Sequence, residues 1–159
     1  MDIYDISFIF STFWVGPFWI AMLINPEKDK TKNLLKGPWF FLGPIVFWFI
    51  LMIYNPQGLI DLARGSSNSN GFLEGLAIGM GTKAGISAIW AHMVAGDIFV
   101  TRWIWKKSIE IKANKWVTRI SVFFGVMLMP LGLAIFTLCN LNNGNNKTGQ
   151  KTTLYQQKI

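Results

Sequence analysis

The chain has 159 residues, of which 52% are hydrophobic and only 14% are charged. A soluble domain carries about 25% charged residues, so this composition argues against a water-soluble globular protein. The formal net charge of +7 would suit a nucleic-acid-binding protein, but most Lys and Arg residues lie in two connections between apolar segments, which is typical of membrane proteins. The single histidine and the single cysteine argue against a metal site, bis-histidine haem ligation and an internal disulfide.

Four apolar segments each approach the roughly 20 residues that a helix needs to cross about 30 Å of hydrocarbon. They are predicted at residues 6–24, 38–54, 86–105 and 120–138. The sequence therefore predicts an all-α, integral membrane four-helix bundle within residues 1–141. The remaining residues, 142–159, are rich in Asn and Lys and predict a disordered tail.

The first apolar segment lacks the features of a secretory signal peptide. Asp2 and Asp5 precede it without any Lys or Arg, and it ends in Asn25 and Pro26 instead of the small residues of a cleavage site. We therefore expect this segment to be retained as a membrane span.

The distribution of Lys and Arg predicts the orientation of the chain. The first and third connections between spans carry more of them than the N-terminus, the second connection and the tail together. The positive-inside rule then places the first and third connections in the cytoplasm or stroma. With four spans, both termini are expected outside or in a lumen.

The second connection is the longest and contains a turn region rich in Gly, Ser and Asn at residues 65–71. The apolar residues that follow, 72–78, are too few to span a bilayer. They predict a short interfacial or re-entrant helix before the third span. The glycines nearby lack the Gly-Lys-Ser/Thr ending of a phosphate loop, so we attribute them to helix packing.

Ionisable side chains inside the third predicted span are the first candidates for a functional site. Asp97 falls near the midplane, where an ionised carboxylate is costly, so we expect it to be paired or protonated. At about 100° per residue, His92 and Arg102 each lie about 140° around the helix from Asp97, whereas Trp90 and Thr101 share its side. His92, Asp97 and Arg102 therefore need partners on other helices.

Three prolines on the other predicted spans share the depth of these groups: Pro17, Pro44 and Pro130. A proline inside a helix frees the carbonyl four residues earlier, and inside a membrane that carbonyl needs a hydrogen-bond donor. A protonated Asp97 or His92 could be such a donor. The pattern predicts a polar patch at mid-membrane, enclosed by kinked helices.

Three interpretations of this patch remain open: a contact that only stabilises helix packing, a ligand or catalytic site, and a proton path. Arg102 is also explained as an anchor that reaches the membrane interface. The many Phe and Trp residues are attributed to lipid-facing surface.

Three strings of residues are similar to the abscisic-acid-deficient-four-like membrane family. They are Phe72-Leu73-Glu74-Gly75, then Trp90-Ala-His92-x4-Asp97-Ile98-Phe99-Val100-x-Arg102-Trp103, and Met129-Pro130-Leu131-Gly132-Leu133. The similarity covers residues 11–138 and excludes the tail. Because plant members of that family are associated with neoxanthin formation, the resemblance implies a membrane protein of photosynthetic cells with a xanthophyll as ligand or substrate. The membrane would be a bacterial inner or thylakoid membrane, or a plastid membrane.

The reaction attributed to the plant members is the opening of a 5,6-epoxide to an allenic alcohol, which needs an acid and a base but no redox cofactor. The resemblance thus implies a cofactor-independent carotenoid epoxide isomerase. In this hypothesis Asp97 is the acid and His92 the base, provided that helix kinks bring both to one ligand. The substrate site would include Trp90, Thr101, Arg102, Pro17, Pro44 and Pro130.

Two other functions compete with this one. The first is a non-catalytic membrane scaffold or assembly factor that presents a carotenoid or positions a carotenoid enzyme. The second is a small proton-linked transporter, which would need a homo-oligomer because one chain has so few spans.

Overall fold

The computed structural model describes residues 1–56, 60 and 71–141. The described part is helical apart from short connections and contains no strand, which confirms the all-α prediction. Its helices are α1 Ile3–Trp14, α2 Gly16–Ile24, α3 Asp29–Leu34, α4 Trp39–Tyr54, α5 Phe72–Met80, α6 Lys83–Glu110, α7 Lys115–Met127 and α8 Met129–Leu141. The predicted tail at 142–159, and the turn region at 65–71 except Gly71, lie outside the described residues.

Three stretches are long and apolar enough to cross a membrane: Ile3–Ile24, Asp29–Tyr54 and Lys83–Glu110. They correspond to the first three predicted spans. The first of them is divided at Val15, and Pro17 lies in the first turn of α2, where a missing N–H costs little. The helix α5 occupies the position of the short helix predicted before the third span.

The fourth predicted span, residues 120–138, is not a single helix. Helix α7 ends at Met127, Leu128 has φ −149° and ψ 78°, and α8 begins at Met129. Pro130 therefore lies in the first turn of a new helix instead of kinking an old one. The four-helix bundle is not confirmed, because each of these two helices is too short to span a membrane.

The two halves of this segment fold against each other as a helical hairpin. A Cβ atom built on Gly132 would lie 2.6 Å from the Cα of Gly125 and 2.6 Å from the carbonyl oxygen of Ser121. In a continuous helix Ser121 and Gly132 would be roughly 16 Å apart along the axis. The chain therefore reverses at Leu128, and α8 runs back beside α7. We call α7 and α8 together the α7–α8 hairpin.

The other helices pack around α6. Helices α1, α2, α4, α5 and α7 all contact it, and the Phe136 ring of α8 lies 5.7 Å from the Trp103 ring of α6. The largest fully buried side chains at these contacts are Phe40, Met22, Leu35, Leu51, Ile98 and Ile104. Helix α2 joins the hairpin through a hydrogen bond of 3.2 Å from the Trp19 indole to the Val122 carbonyl.

An ion-pair cluster ties the N-terminus to the start of α6. Asp2 caps α1 by accepting hydrogen bonds from the backbone N–H groups of Tyr4 and Asp5. The Lys83 ammonium lies 2.7 Å from the Asp2 carboxylate and 2.8 Å from that of Asp5. Helices α1 and α6 therefore begin at the same end of the molecule and run in parallel.

Candidate functional site

Asp97 is a sequence-predicted site residue whose side chain has no structural partner among the described residues. Its side chain is half-buried on α6, and its carboxyl group forms no hydrogen bond or ion pair within the part of the chain that the structure describes. Thr101, one turn further along the same side of α6, faces Gly125 of α7. Because the hairpin turns at Leu128, three residues after Gly125, Asp97 lies level with the hairpin tip.

Thr101 is fully buried and has a structural role. Its hydroxyl donates a hydrogen bond of 2.7 Å to the carbonyl oxygen of Asp97, one turn earlier. A Cβ atom on Gly125 would lie 2.6 Å from the Thr101 hydroxyl oxygen, so α6 and α7 meet here at close range. The hydroxyl is thus occupied inside the protein.

Trp90 connects α6 to α1. Its indole N–H donates a hydrogen bond of 2.8 Å to the hydroxyl of Thr12, which itself donates to the Phe8 carbonyl at 2.7 Å. The rings of Trp90 and Phe8 lie 4.9 Å apart between centroids. These contacts explain a tryptophan at position 90 by helix packing.

Arg102 connects α6 to the first basic connection. Its Nε donates a hydrogen bond of 2.8 Å to the Leu35 carbonyl, and its guanidinium lies 4.9 Å from the centroid of the Phe40 ring. A guanidinium over an aromatic face is electrostatically favourable. This geometry is that of an anchor at the basic end of the helices.

His92 lies on a different side of α6 from Asp97. Its side chain is exposed, as are its neighbours on that side, Gly96 and Phe99. Because α6 is one unbroken helix from Lys83 to Glu110, the angle of about 140° between His92 and Asp97 is retained. The structure therefore does not bring these two residues together.

The three prolines do not enclose a common site either. Pro44 is buried inside α4, whereas Pro17 and Pro130 are exposed near the starts of α2 and α8. Of the three, only Pro44 lies within a helix interior. The predicted enclosure required all three prolines to lie inside kinked spanning helices, whereas Pro17 and Pro130 lie in first turns that follow breaks at Val15 and Leu128.

Pro17 instead lines an apolar groove of about 600 Å³ on the outer side of α1 and α2. Its lining is Met1, Ile6, Ile9, Phe10, Phe13, Trp14, Pro17 and Phe18. At 1.5 Å per residue the helical part of this lining, from Ile6 to Phe18, covers about 18 Å. Neither Asp97 nor His92 is in this lining, so the groove and the Asp97 region are separate features.

The sequence contains a signal for this groove that was attributed to lipid contact. Phe10, Phe13, Trp14, Pro17 and Phe18 recur at intervals of three and four residues, which places them along one side of a helical segment. Trp14 is fixed there by a hydrogen bond of 2.8 Å from its indole to the Trp39 carbonyl. Its ring stacks on Phe10 with centroids 5.2 Å apart.

The number, length and apolar composition of these helices are compatible with a helical membrane protein. A family model described as ABA DEFICIENT 4-like matches residues 6–136. This match covers most of the chain, so the chain belongs to the ABA4-like family, as the strings around Trp90 and Pro130 suggested. No curated protein and no solved structure matches the chain.

Proposed function

We propose that this chain is an integral membrane protein of photosynthetic cells that binds a xanthophyll along the groove on α1 and α2. Membership of the ABA4-like family supports a carotenoid-related role. The observation that carries the proposal is the shape of the groove, which is long, apolar and lined by aromatic rings.

The groove suits a rigid rod better than a flexible chain. Its volume of about 600 Å³ falls in the usual range for small-molecule sites, and its helical lining extends over about 18 Å, so that it offers an elongated apolar surface. A conjugated polyene is already extended and loses little conformational freedom on binding, whereas an acyl chain loses much more. The rings of Phe10, Phe13 and Trp14 offer faces for stacking on the polyene.

In this proposal three helical stretches cross the membrane, and the α7–α8 hairpin enters from the basic side and returns to it. The positive-inside rule places the basic connections in the cytoplasm or stroma. The N-terminus is then outside or lumenal, while Leu141 faces the same side as Asn114. This differs from the arrangement expected for four spans, in which both termini lie outside.

The experiment is pigment binding by the protein purified from carotenoid-containing membranes. Phe13 is 74% exposed and lines the groove, so Phe13→Ala removes ligand contact without opening the core. The matched control is Phe49→Ala on α4, because Phe49 is 55% exposed and does not line the groove. We expect co-purified xanthophyll to fall in Phe13→Ala and to remain in Phe49→Ala.

Equal pigment content in the two variants, or pigment-free wild-type protein from pigmented membranes, would contradict the groove proposal. The amount of phospholipid that co-purifies with the protein is measured as well. If it rises when the membranes contain less pigment, the groove is ordinary lipid-contact surface.

A second candidate function is the epoxide-to-allene isomerisation, which the unpaired Asp97 carboxyl favours. In the neutral form Asp97 would give its proton to the epoxide oxygen as the bond from that oxygen to C6 breaks. His92 lies on another side of α6, so the resulting Asp97 carboxylate would itself take up the proton leaving C7. The carboxylic acid is then restored, and no electrons enter or leave the substrate. This reaction requires a ligand position at the hairpin tip, apart from the groove.

A further inference from the structure

A second cavity, of about 520 Å³, lies at the basic end of the helices. Three segments form it: the connection after α2, the end of α6 and the start of α7. The lining is Pro26, Glu27, Lys32, Ser108, Ile109, Lys112, Ala113, Lys115 and Thr118. One wall is fixed by a hydrogen bond of 2.9 Å from the Trp105 indole to the Pro26 carbonyl.

A buried hydroxyl group in this lining has no partner. Ser108 is only 3% exposed, and its hydroxyl oxygen forms no hydrogen bond among the described residues. An unsatisfied buried polar group is unfavourable, and in native proteins it calls for an explanation. Because Ser108 lines the cavity, a ligand with acceptor oxygens would satisfy its hydroxyl.

The charge around Ser108 favours a ligand that is an anion. Lys32, Lys112 and Lys115 line the cavity, against the carboxylate of Glu27. Lys32 is already paired with Asp29 at 3.1 Å, so Lys112 and Lys115 supply the positive charge. Lys115 lies 4.0 Å from Glu27, a distance at which an exposed pair contributes little. Lys112 forms no ion pair within the described ranges. Its backbone has a φ of 53°, a conformation that lysine rarely adopts.

The start of α7 adds a further positive contribution. The first turn of this 13-residue helix includes Lys115 and Thr118, both in the cavity lining. The Asn114 side chain accepts a hydrogen bond from the Trp116 N–H, but the helix dipole and the remaining first-turn N–H groups still favour phosphate and other anions. The apolar atoms of Pro26 and Ile109 in the same lining suit the carbon skeleton that bears such a group.

We propose that this cavity binds a phosphate group, with the Ser108 hydroxyl donating to a phosphate oxygen and Lys112 and Lys115 neutralising its charge. The group can belong to an anionic lipid headgroup or to a soluble phosphate ester. This inference does not depend on the xanthophyll proposal, because the cavity and the groove on α1 and α2 share no lining residue.

The test measures thermal stabilisation of the purified protein in a neutral detergent during titration with three probes. They are phosphatidylglycerol, phosphatidylcholine and glycerol 3-phosphate. We expect stabilisation by a probe with an accessible anionic phosphate and none by the zwitterionic lipid. Stabilisation by phosphatidylglycerol alone identifies a lipid site, and an equal effect of glycerol 3-phosphate identifies a soluble ligand.

Two double variants separate the cavity from general surface charge. Lys112→Gln with Lys115→Gln removes two lining charges, while Lys30→Gln with Lys106→Gln removes two exposed charges outside the lining. We expect the half-saturating concentration to rise about fivefold for each lining lysine removed, since each lysine near an anionic surface contributes about that factor. The control variant is expected to bind as the wild type does.

Ser108→Ala tests the hydroxyl directly. Without ligand we expect this variant to be at least as stable as the wild type, because an unsatisfied group is removed. Its affinity for the anionic probe is expected to fall. Identical affinities in the two double variants, equal stabilisation by both lipids, or full affinity in Ser108→Ala would each overturn the proposal.

Discussion

Gly132 of α8 packs directly on Gly125 of α7, with no room for a side chain at position 132. This contact determines the shape of the C-terminal part of the described chain, because it lets two short helices lie side by side where one long helix was predicted. Small residues permit such close approach between helix backbones.

The first prediction concerns this glycine contact. We expect Gly132→Ala to lower stability by about 1–3 kcal/mol, the usual cost of overpacking, because its Cβ would lie 2.6 Å from backbone atoms that cannot rotate away. The control is Gly96→Ala, since a Cβ there meets no atom within 4 Å. Alanine favours a helix over glycine by about 1 kcal/mol, so the control should be neutral or stabilising. Thermal aggregation in detergent measures both, and a similar response of the two variants would argue against the hairpin.

The second prediction concerns the side of the membrane reached by the end of α8. Single cysteines at Ala113, Leu141 and Gly71 are introduced after the native thiol is removed with Cys139→Ser. We expect an impermeant thiol reagent added to intact cells to label position 71 and to spare positions 113 and 141. Labelling at 141 with protection at 113 would show that the segment crosses the membrane once, as the four-span prediction requires.

The third prediction separates stability from chemistry at Asp97. We expect Asp97→Asn to unfold at the wild-type temperature, because the carboxyl group loses no hydrogen bond or ion pair within the described ranges. Pigment binding in the groove should persist, since Asp97 is absent from its lining. Conversion of an epoxide xanthophyll, if the wild type performs it, should be lost because the amide cannot give up a proton in the same way.

His92→Gln is the companion variant for that experiment. If Asp97 alone gives and takes up the proton, the His92→Gln variant should still convert the epoxide xanthophyll, because His92 is exposed on another side of α6. Loss of conversion in His92→Gln together with normal conversion in Asp97→Asn would reverse the assignment of roles.

The fourth prediction concerns the ion pairs at the N-terminus. The hydrogen bond from Lys83 is the main reason that the pKa of Asp2 falls from its ordinary value of 3.8 to about 2. A carboxyl group with a lowered pKa in the folded state contributes stability above pH 3.8, and this contribution is lost as the pH falls through about 2. The contribution is small because the pair is exposed.

We therefore expect Lys83→Met to raise the pKa of Asp2 towards 3.8, as read from its carboxyl carbon by NMR titration. Lys106→Met, which removes a lysine at the other end of α6, is the control and should leave that pKa unchanged. An unaltered Asp2 titration in Lys83→Met would show that the ion pair does not form in solution.

The first three membrane-compatible stretches could be predicted because run length and composition decide them locally. The run at 120–138 is just as apolar, yet it does not form one helix. Its break depends on the fit of Gly132 against Gly125 and Ser121, which is a tertiary contact that periodicity does not reveal. Pro130 was the one local indication of this break, because proline is favoured in the first turn of a helix and could have marked the start of α8.

The site residues show the same limit. Asp97 is conspicuous in the sequence because a carboxyl group within an apolar run is costly, and its carboxyl group is still unpaired among the described residues, as is the His92 side chain. The partners of Trp90 and Arg102 are Thr12 and the Leu35 carbonyl, each on a distant segment, so a binding role could not be distinguished from packing beforehand. The angle between His92 and Asp97 was calculable, and it already argued against a shared ligand.

The hairpin also adds two short helices on one side of the molecule only. Among the described residues, α2, parts of α4 and α6, and both arms of the hairpin lie on the basic side of Val15, whereas α1, α5 and the remaining parts of α4 and α6 lie on the other side. If the hairpin enters a bilayer from the basic side, as proposed above, its two arms displace lipid from that leaflet alone. Helices confined to one leaflet make membrane association sensitive to curvature. Under that arrangement the proposed membrane association should therefore be stronger where the bilayer is convex on the basic side of the protein.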